Sequence, residues 1–310
     1  MKIAIAGAGA MGSRFGYMLQ EAQEEVILID EWADHIEAIR KNGLQVEMDG
    51  EQHNAEIPIF YPAEVTEEQD LIIMFTKSMH LEYMLTNVEA MIGPHTRILC
   101  LLNGVGHESI LQKYVPLENI IMGVTILTSK LIGPGKISFA GGGLTEIQNF
   151  VENDEAKAET LRIVEVLNRA KLEVNYSDDV MYSIWRKACV NGAMNATCAL
   201  LDCNLAELES TQPSKAIIRS IVKEFVDVAK DRGTILDEDG MVEYIINSSK
   251  AVGHHYPSMH QDLVQNQRLT EVDFLNGAIA RMAIEQNKVA PVNALIAQLV
   301  HAKEELIQAR

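Results

Sequence analysis

A lysine and two asparagines lie on one face of a predicted helix in the second half of the chain. Lys187, Asn191 and Asn195 follow one another at intervals of four residues, so each lies about 6 Å beyond the last along the helix axis. The residues between them are mostly small or apolar, which predicts that the stripe is buried. Burial lowers the pKa of a lysine from about 10.4 towards neutral pH, and this suits a general acid. A lysine at a solvated edge of the helix is the alternative that the spacing leaves open.

A buried lysine of this kind fits the reduction of a ketone. Hydride transfer builds negative charge on the carbonyl oxygen, and the enzyme must supply a proton there. Near the end of the chain, Thr270 and Asp273 are spaced as a capping box, which leaves Glu271 in the first helical turn, where it could face a cleft. Ser258 could donate a hydrogen bond to a substrate carboxylate. Both side chains could instead serve only to start helices.

A glycine-rich motif at the start of the chain predicts a dinucleotide site. Gly7, Gly9 and Gly12 form a GxGxxG pattern between a predicted strand and a predicted helix, the context that gives this pattern its meaning. They allow a tight turn, close approach of the backbone to a pyrophosphate, and close packing of the helix on the strand. A purely structural glycine turn is the alternative. The residues predicted to contact the cofactor here are Gly7, Ala8, Gly9, Ala10, Met11 and Gly12.

An acidic residue ends the second predicted strand. Asp30 lies 18 residues beyond Gly12, where a carboxylate can accept hydrogen bonds from the adenosine ribose. A 2′-phosphate would meet like charge from Asp30 and from Glu31. The sequence therefore favours NAD as the cofactor, with NADP possible. The alternative function for Asp30 is to cap a turn.

Strands and helices alternate in the first half of the chain. This order predicts an α/β fold, a Rossmann-type doubly wound parallel sheet. The glycine-rich stretch 133–143 predicts a hairpin or loop, and 172–176 an edge strand. The main predicted strands are 2–6, 25–29, 71–76, 97–102 and 120–125, and the predicted helices include 11–23, 34–42 and 155–167.

Strand patterns disappear after about residue 177. Helical periodicity dominates the rest of the chain and predicts an all-α C-terminal domain. We place the boundary so that residues 1–178 form the dinucleotide-binding domain and residues 179–310 a helical substrate and catalytic domain. The predicted helices are 179–194, 214–232, 241–249, 270–286 and 292–309.

Composition limits the partners. The formal net charge of −18 disfavours binding to nucleic acid or to anionic membrane surfaces, and no apolar run reaches the roughly 18 residues of a membrane span. The four cysteines form no CxxC pair, which favours reduced thiols in a cytoplasmic protein. The nine histidines have no spacing that argues for a metal site.

Together these motifs resemble the ketopantoate reductase (2-dehydropantoate 2-reductase) family over essentially the whole chain. Each motif is modestly specific, but their order and spacing are strongly specific. Besides the residues above, the resemblance rests on Phe75-Thr76-Lys77, Asn103-Gly104, WRKxxxNxxxN at 185–195, Ser258-Met259 followed by Gln261-Asp262, and Asn276-Gly277.

The resemblance implies a role for each candidate. Lys187 would be the general acid, and Glu271 would position Lys187 or a catalytic water and contact the bound ligands. Lys77 and Asn103 would contact the nicotinamide half of the cofactor and the substrate, in a cleft between the domains. The residues that would hold the substrate are Asn103, Asn191, Asn195 and Ser258. The resemblance further implies a D-2-hydroxy acid product and a homodimer.

Several functions remain open at this point. Well-known ketopantoate reductases use NADPH and carry a basic residue where this chain has Asp30 and Glu31. We therefore favour an NAD-dependent D-2-hydroxyacid dehydrogenase of the D-mandelate type, acting on branched or aromatic 2-oxo acids, over an NADPH-dependent ketopantoate reductase making pantoate. A dehydrogenase for a 3-hydroxy acid or a polyol phosphate is a further possibility, and the latter would need more basic residues. A non-catalytic nucleotide-sensing regulator is the rival from another class, and it would not need Lys187 or Glu271.

Overall fold

The computed structural model describes residues 1–309, apart from the side chains of residues 251 and 252. Contacts divide the chain into two compact units. The first comprises Met1–Leu102 and His107–Val180, and the second comprises Asn103–Gly106 and the residues from Met181 onwards. Asn103 therefore belongs to the same unit as Lys187, although three of the eight strands of the first unit's main sheet lie between them along the chain.

A twisted sheet forms the centre of the first unit. Within the described residues it has eight strands in the order β12-β11-β8-β7-β6-β1-β2-β5, parallel except where β11 meets β8. Its strands are β1 (Lys2–Ala6), β2 (Glu25–Ile29), β5 (Ile59–Phe60), β6 (Leu71–Met74), β7 (Arg97–Cys100), β8 (Ile120–Thr125), β11 (Thr145–Asn149) and β12 (Val174–Tyr176).

The central strands of the sheet consist of continuous runs of apolar residues. All four residues of β6 are fully buried, as expected for a parallel strand covered on both faces. Strand β1 pairs with β6 on one side and with β2 on the other. The carboxyl ends of these three strands therefore share one edge of the sheet, the usual place for a nucleotide in such folds.

Helices flank the sheet, and a smaller sheet accompanies it. Gly43 has a φ of 74°, a left-handed backbone that ends α2 at low cost because glycine lacks a Cβ. The small sheet has the order β4-β3-β10-β9. Its strands are β3 (Leu44–Met48), β4 (Glu51–Ala55), β9 (Lys130–Gly133) and β10 (Lys136–Phe139), and the helices of the unit are α1 (Ala10–Glu21), α2 (Ala33–Asn42), α3 (Leu81–Asn87), α4 (Glu108–Leu111) and α5 (Asp154–Arg169).

The secondary structure of the second unit consists of helices, with no strand among its described residues. A 22-residue helix, α6, begins at Val180 and ends at Leu201. A π-helical turn, Gln261–Gln265, follows α10, and a 3-10 turn, Val272–Phe274, precedes α11. The helices are α6 (Val180–Leu201), α7 (Leu205–Glu209), α8 (Ser214–Asp231), α9 (Glu238–Val252), α10 (Ser258–His260), α11 (Asn276–Glu285) and α12 (Pro291–Leu306).

The predicted fold class is confirmed, with local corrections. The hairpin expected near residue 133 is β9 and β10, and the expected edge strand is β12. The continuous helix predicted for 270–286 is wrong, because a 3-10 turn precedes α11. The capping box is also wrong: Thr270 Oγ1 accepts a hydrogen bond from Val272 N at 3.3 Å, which forms a local turn two residues long rather than a helix cap.

Candidate active site

The glycine turn after β1 has the geometry that a pyrophosphate requires. Gly7 has a φ of 98°, a conformation that side chains rarely adopt. A Cβ on Gly12 would collide with the carbonyl oxygen of Gly7, whereas a Cβ on Gly9 would meet nothing within 4 Å. The sequence therefore needs glycine at positions 7 and 12 for the fold itself. At position 9 the fold does not need glycine, which leaves close approach of a ligand as the reason for it.

The first turn of α1 is left open to an anion. The N-cap is Gly9, without a side-chain cap, and the first turn carries no acidic residue. Its N–H groups and the positive end of the helix dipole are therefore available to a phosphate. Ser13 Oγ donates to the carbonyl of Ala8 at 2.6 Å and fixes the turn.

Asp30 is tied to the glycine turn. Its carboxylate accepts from Ala8 N at 2.7 Å, from Glu31 N at 2.8 Å and from Trp32 N at 2.9 Å. The turn-capping alternative is therefore observed. Two carboxylate oxygens offer about four lone-pair positions, so the same group keeps acceptor capacity for a ribose hydroxyl. These bonds fix a negative charge beside the turn.

Lys77 lies at the same sheet edge. It follows β6, which pairs with β1, and it precedes the 3-10 turn Ser78–His80. The backbone of Phe75 and Thr76 packs directly against Gly7. Lys77 therefore comes directly after the two residues whose backbone contacts the glycine turn.

In the second unit, two of the three side chains predicted to share a face of α6 line the same pocket. Asn191 and Asn195 line one narrow pocket together with residues from three other segments. Asn195 Nδ2 donates to Ser258 Oγ at 3.4 Å, and Asn103 Nδ2 donates to Glu271 Oε2 at 3.4 Å. The side chains that line the pocket are Asn103, Asn191, Asn195, Ser258, Met259, Asp262, Glu271 and Leu275.

Backbone contacts bring Asn103 to this pocket. Gly104 has a φ of 104°, and any Cβ there would clash with the backbone of Phe274. Val105 N donates to the carbonyl of Phe274 at 3.0 Å. The Asn103–Gly106 segment is therefore fixed against the turn that follows Glu271, which explains why glycine follows Asn103.

Lys187 and Glu271 are coupled electrostatically. Burial lowers the pKa of the Lys187 ammonium from 10.5 to about 8, and the carboxylate of Glu271 opposes part of that decrease. Lys187 does not line the narrow pocket itself. Lys187 is partly buried, so it does not stand at a fully solvated edge of the helix.

Three pocket residues were not predicted as site residues. Met259 and Leu275 are buried and give the pocket an apolar wall. Asp262 is also buried and lies in the π-helical turn, a type of turn that occurs often at functional sites. Two sequence signals indicated it: the Gln261-Asp262 pair is part of the family resemblance, and a position four residues after Ser258 lies on the same helical face.

Neither the cysteines nor other ligand-type residues form a second reactive centre in the part of the chain that the structure describes. Cys100, Cys189 and Cys198 are buried, and all four cysteines are free. Burial raises the pKa of the Cys100 thiol to about 12, so it is protonated and unreactive at neutral pH. Among residues 1–309 no three His, Cys, Asp or Glu side chains group as a metal site.

Two family models match the chain. The ketopantoate reductase PanE/ApbA model covers residues 3–152, and the model of the C-terminal part of the same family covers residues 179–304. The chain belongs to the ketopantoate reductase family. The resemblance inferred from the motifs is thereby confirmed, and so is the enzyme class, an oxidoreductase.

Individual relatives match over the full length. The 2-dehydropantoate 2-reductase of Streptococcus pyogenes serotype M6 is 46% identical, with 99% of each chain covered. Among solved structures, D-mandelate dehydrogenase with NADH and anilino(oxo)acetate is similar at a TM-score of 0.95 and 44% identity, with 100% of each chain covered. A putative 2-dehydropantoate 2-reductase from Enterococcus faecalis has a TM-score of 0.82 and 47% identity, also with 100% of each chain covered.

Proposed function

We propose that this protein reduces a small 2-oxo acid to a D-2-hydroxy acid, with NADH as the hydride donor. The observation that carries the proposal is the placement of the partly buried Lys187 within charge interaction of Glu271, which lines the pocket. The Lys187 ammonium has its pKa lowered by burial to about 8, which suits proton donation near neutral pH. It acts beside Glu271, in the unit that also holds the pocket of amide and hydroxyl side chains.

Each group of site residues has a separate role in the proposed reduction. A bound nicotinamide supplies the hydride. Lys187 donates a proton to the carbonyl oxygen as negative charge develops there. Glu271 keeps the ammonium charged and oriented. Amide and hydroxyl donors bind the carboxylate without changing charge, and those proposed for this role are Asn103, Asn191, Asn195 and Ser258.

The cofactor preference rests on Asp30. Its carboxylate is fixed beside the glycine turn by the bond to Ala8 N, so it cannot easily swing away from a 2′-phosphate. Like charges at close range repel, and this favours NADH over NADPH. Lys77 is proposed to contact the nicotinamide half, and the backbone of Gly7–Gly12 the pyrophosphate.

The substrate is proposed to carry a branched or aromatic side chain. Met259 and Leu275 offer it an apolar wall, and the D-mandelate dehydrogenase that was solved with NADH is 44% identical to this chain. The second candidate is reduction of ketopantoate with NADPH. It is favoured by the 46% identical relative from Streptococcus pyogenes, a 2-dehydropantoate 2-reductase.

A steady-state panel tests both candidates. Ketopantoate, phenylglyoxylate and 2-oxoisocaproate are each measured with NADH and with NADPH. We expect the highest kcat/KM for phenylglyoxylate or 2-oxoisocaproate with NADH. A clear preference for ketopantoate with NADPH would establish the second candidate instead, and no turnover with any pair would favour the nucleotide-sensing regulator.

Other expectations from the sequence stay predictions. These are the homodimer, the cytoplasmic location, the boundary between residues 178 and 179, and the roles of the individual site residues. No helix among the described residues has the length and apolar character needed to cross a membrane.

A further inference from the structure

A buried carboxylate on α12 holds the turn that carries Glu271. Glu304 is 6% exposed, and a carboxylate so far from water must be satisfied by donors. Its Oε1 accepts from Thr270 N at 2.8 Å. The backbone of Thr270, the residue immediately before Glu271, is therefore anchored to α12.

His301 extends this anchor to the far side of Glu271. Its Nδ1 lies 2.9 Å from Glu304 Oε2, and its Nε2 lies 3.1 Å from Asp273 Oδ1. An imidazolium donates from both ring nitrogens, so the protonated form of the ring satisfies both carboxylate oxygens. Arg281 donates to the carbonyl of Asp273 at 2.6 Å and supports the same turn from α11.

The hydrogen bonds of His301 and Glu304 thus hold the residues on both sides of Glu271. The carboxylate of Glu271 itself accepts a hydrogen bond from Asn103. We propose that His301 and Glu304 are positioning residues for the reaction, which hold the 270–273 turn so that Glu271 keeps its orientation towards Lys187 and the pocket. The expected effect on catalysis rests on the proposed function. The role of His301 and Glu304 in holding the turn rests on the geometry alone.

The network depends on pH in a defined direction. Burial acts to lower the pKa of His301, but its hydrogen bonds to Glu304 and Asp273 outweigh burial and raise the pKa above 6.5. A raised pKa means that the bridge is complete below pH 6.5 and is lost as pH rises through the higher, folded-state value. The charged groups that face the ring are Glu304 on its own helix and Asp273 on the turn, with Arg281 behind Asp273.

The experiment compares His301→Ala and Glu304→Gln with Glu305→Gln as the matched control. The side chain of His301 is 43% exposed, so its removal leaves the core intact. Glu304→Gln keeps one oxygen acceptor for Thr270 N, but it removes the charge and replaces the oxygen that faces His301 Nδ1 with an NH2 donor. Glu305→Gln makes the same change one residue along, on the exposed face of α12. We expect kcat to fall about fivefold in His301→Ala, less in Glu304→Gln, and not at all in Glu305→Gln. The Kd for NADH should not change.

A double-mutant cycle separates positioning from general destabilisation. In a Glu271→Gln background, His301→Ala should lower kcat no further, because its effect passes through Glu271. The wild type should exceed His301→Ala by a larger factor at pH 6 than at pH 9. An unchanged kcat in His301→Ala, or an equal loss in both backgrounds, would overturn the proposal.

Hydrogen–deuterium exchange tests the anchoring of the 270–273 turn without a measurement of turnover. The peptide spanning residues 270–274 should exchange faster in His301→Ala than in wild type, with no change in Glu305→Gln. If the wild type reduces no 2-oxo acid yet exchange responds as expected, the proposed function fails and the anchor stands. If the wild type is active and exchange does not respond, the anchor fails and the proposed function stands.

Discussion

The glycine turn and the pocket beside α6 are built in opposite ways. The turn uses the backbone of one short stretch, Gly7–Gly12, and its demands are steric. The pocket uses side chains from segments between Asn103 and Leu275, and its demands are burial and charge. A site of the first kind can be located from consecutive residues, whereas one of the second kind exists only after the chain has folded.

The difference also separates binding from chemistry. Phosphate can be held by backbone N–H groups without any particular side chain. Proton donation needs one group with a suitable pKa, and the group proposed for it here is the Lys187 ammonium, whose pKa burial lowers to about 8. Damage to the turn should therefore affect cofactor binding, and damage to Lys187 should affect turnover.

The largest effect is expected from Lys187→Ala. Removing a general acid lowers rates by about 10²- to 10⁴-fold, so kcat should fall by this factor while the Kd for NADH, measured by fluorescence titration, stays the same. Lys215→Ala, at an exposed position on α8, is the control and should match wild type. Near-normal turnover in Lys187→Ala would remove the lysine from the mechanism.

Next in size is a contrast between two glycines. Gly9→Ala should weaken NADH binding about tenfold or more, because its new Cβ points into the open space where a pyrophosphate approaches, and should leave the melting temperature unchanged. Gly12→Ala should lower the melting temperature, because its Cβ meets the carbonyl of Gly7. Calorimetry with and without NADH measures both. Equal effects of the two substitutions would refute the distinction between ligand contact and packing.

The sequence alone was sufficient to predict the strands and the glycine turn at the sheet edge, but not to predict which residues form the pocket. Buried apolar runs such as β6 and the GxGxxG context located the central strands and the turn correctly. In the small sheet, β3 and β4 were missed. Strand β4, with four of five residues polar or charged, lacks the apolar pattern that indicates a strand.

Long-range contacts explain what was missed in the pocket. Spacing along α6 correctly grouped Asn191 with Asn195, because both lie on one helix. Nothing local indicates that Glu304 accepts from Thr270, 34 residues away. Nor does local sequence reveal that Thr270 forms a short turn in place of a helix cap, since tertiary contacts decide between these two uses of one side chain.

A smaller effect is expected at Asp30. Asp30→Asn removes the charge but retains an oxygen acceptor, so the ratio of kcat/KM with NADH to that with NADPH should fall about tenfold. Asp34→Asn, in the exposed first turn of α2, is the matched control and should leave the ratio unchanged. A wild type that already prefers NADPH would show that this carboxylate does not set the preference.

The pH dependence of hydride transfer, followed in single turnovers of wild type and Glu271→Gln, tests the coupling of Lys187 to Glu271 most directly. The acid must be protonated to act, so the wild-type rate should be constant at low pH and fall as pH rises through about 8. Loss of the neighbouring carboxylate should move this decline to lower pH, because burial then acts on the ammonium unopposed. A decline in wild type only near the ordinary lysine pKa, or an identical decline in the two proteins, would contradict the assignment of Lys187 as the buried proton donor.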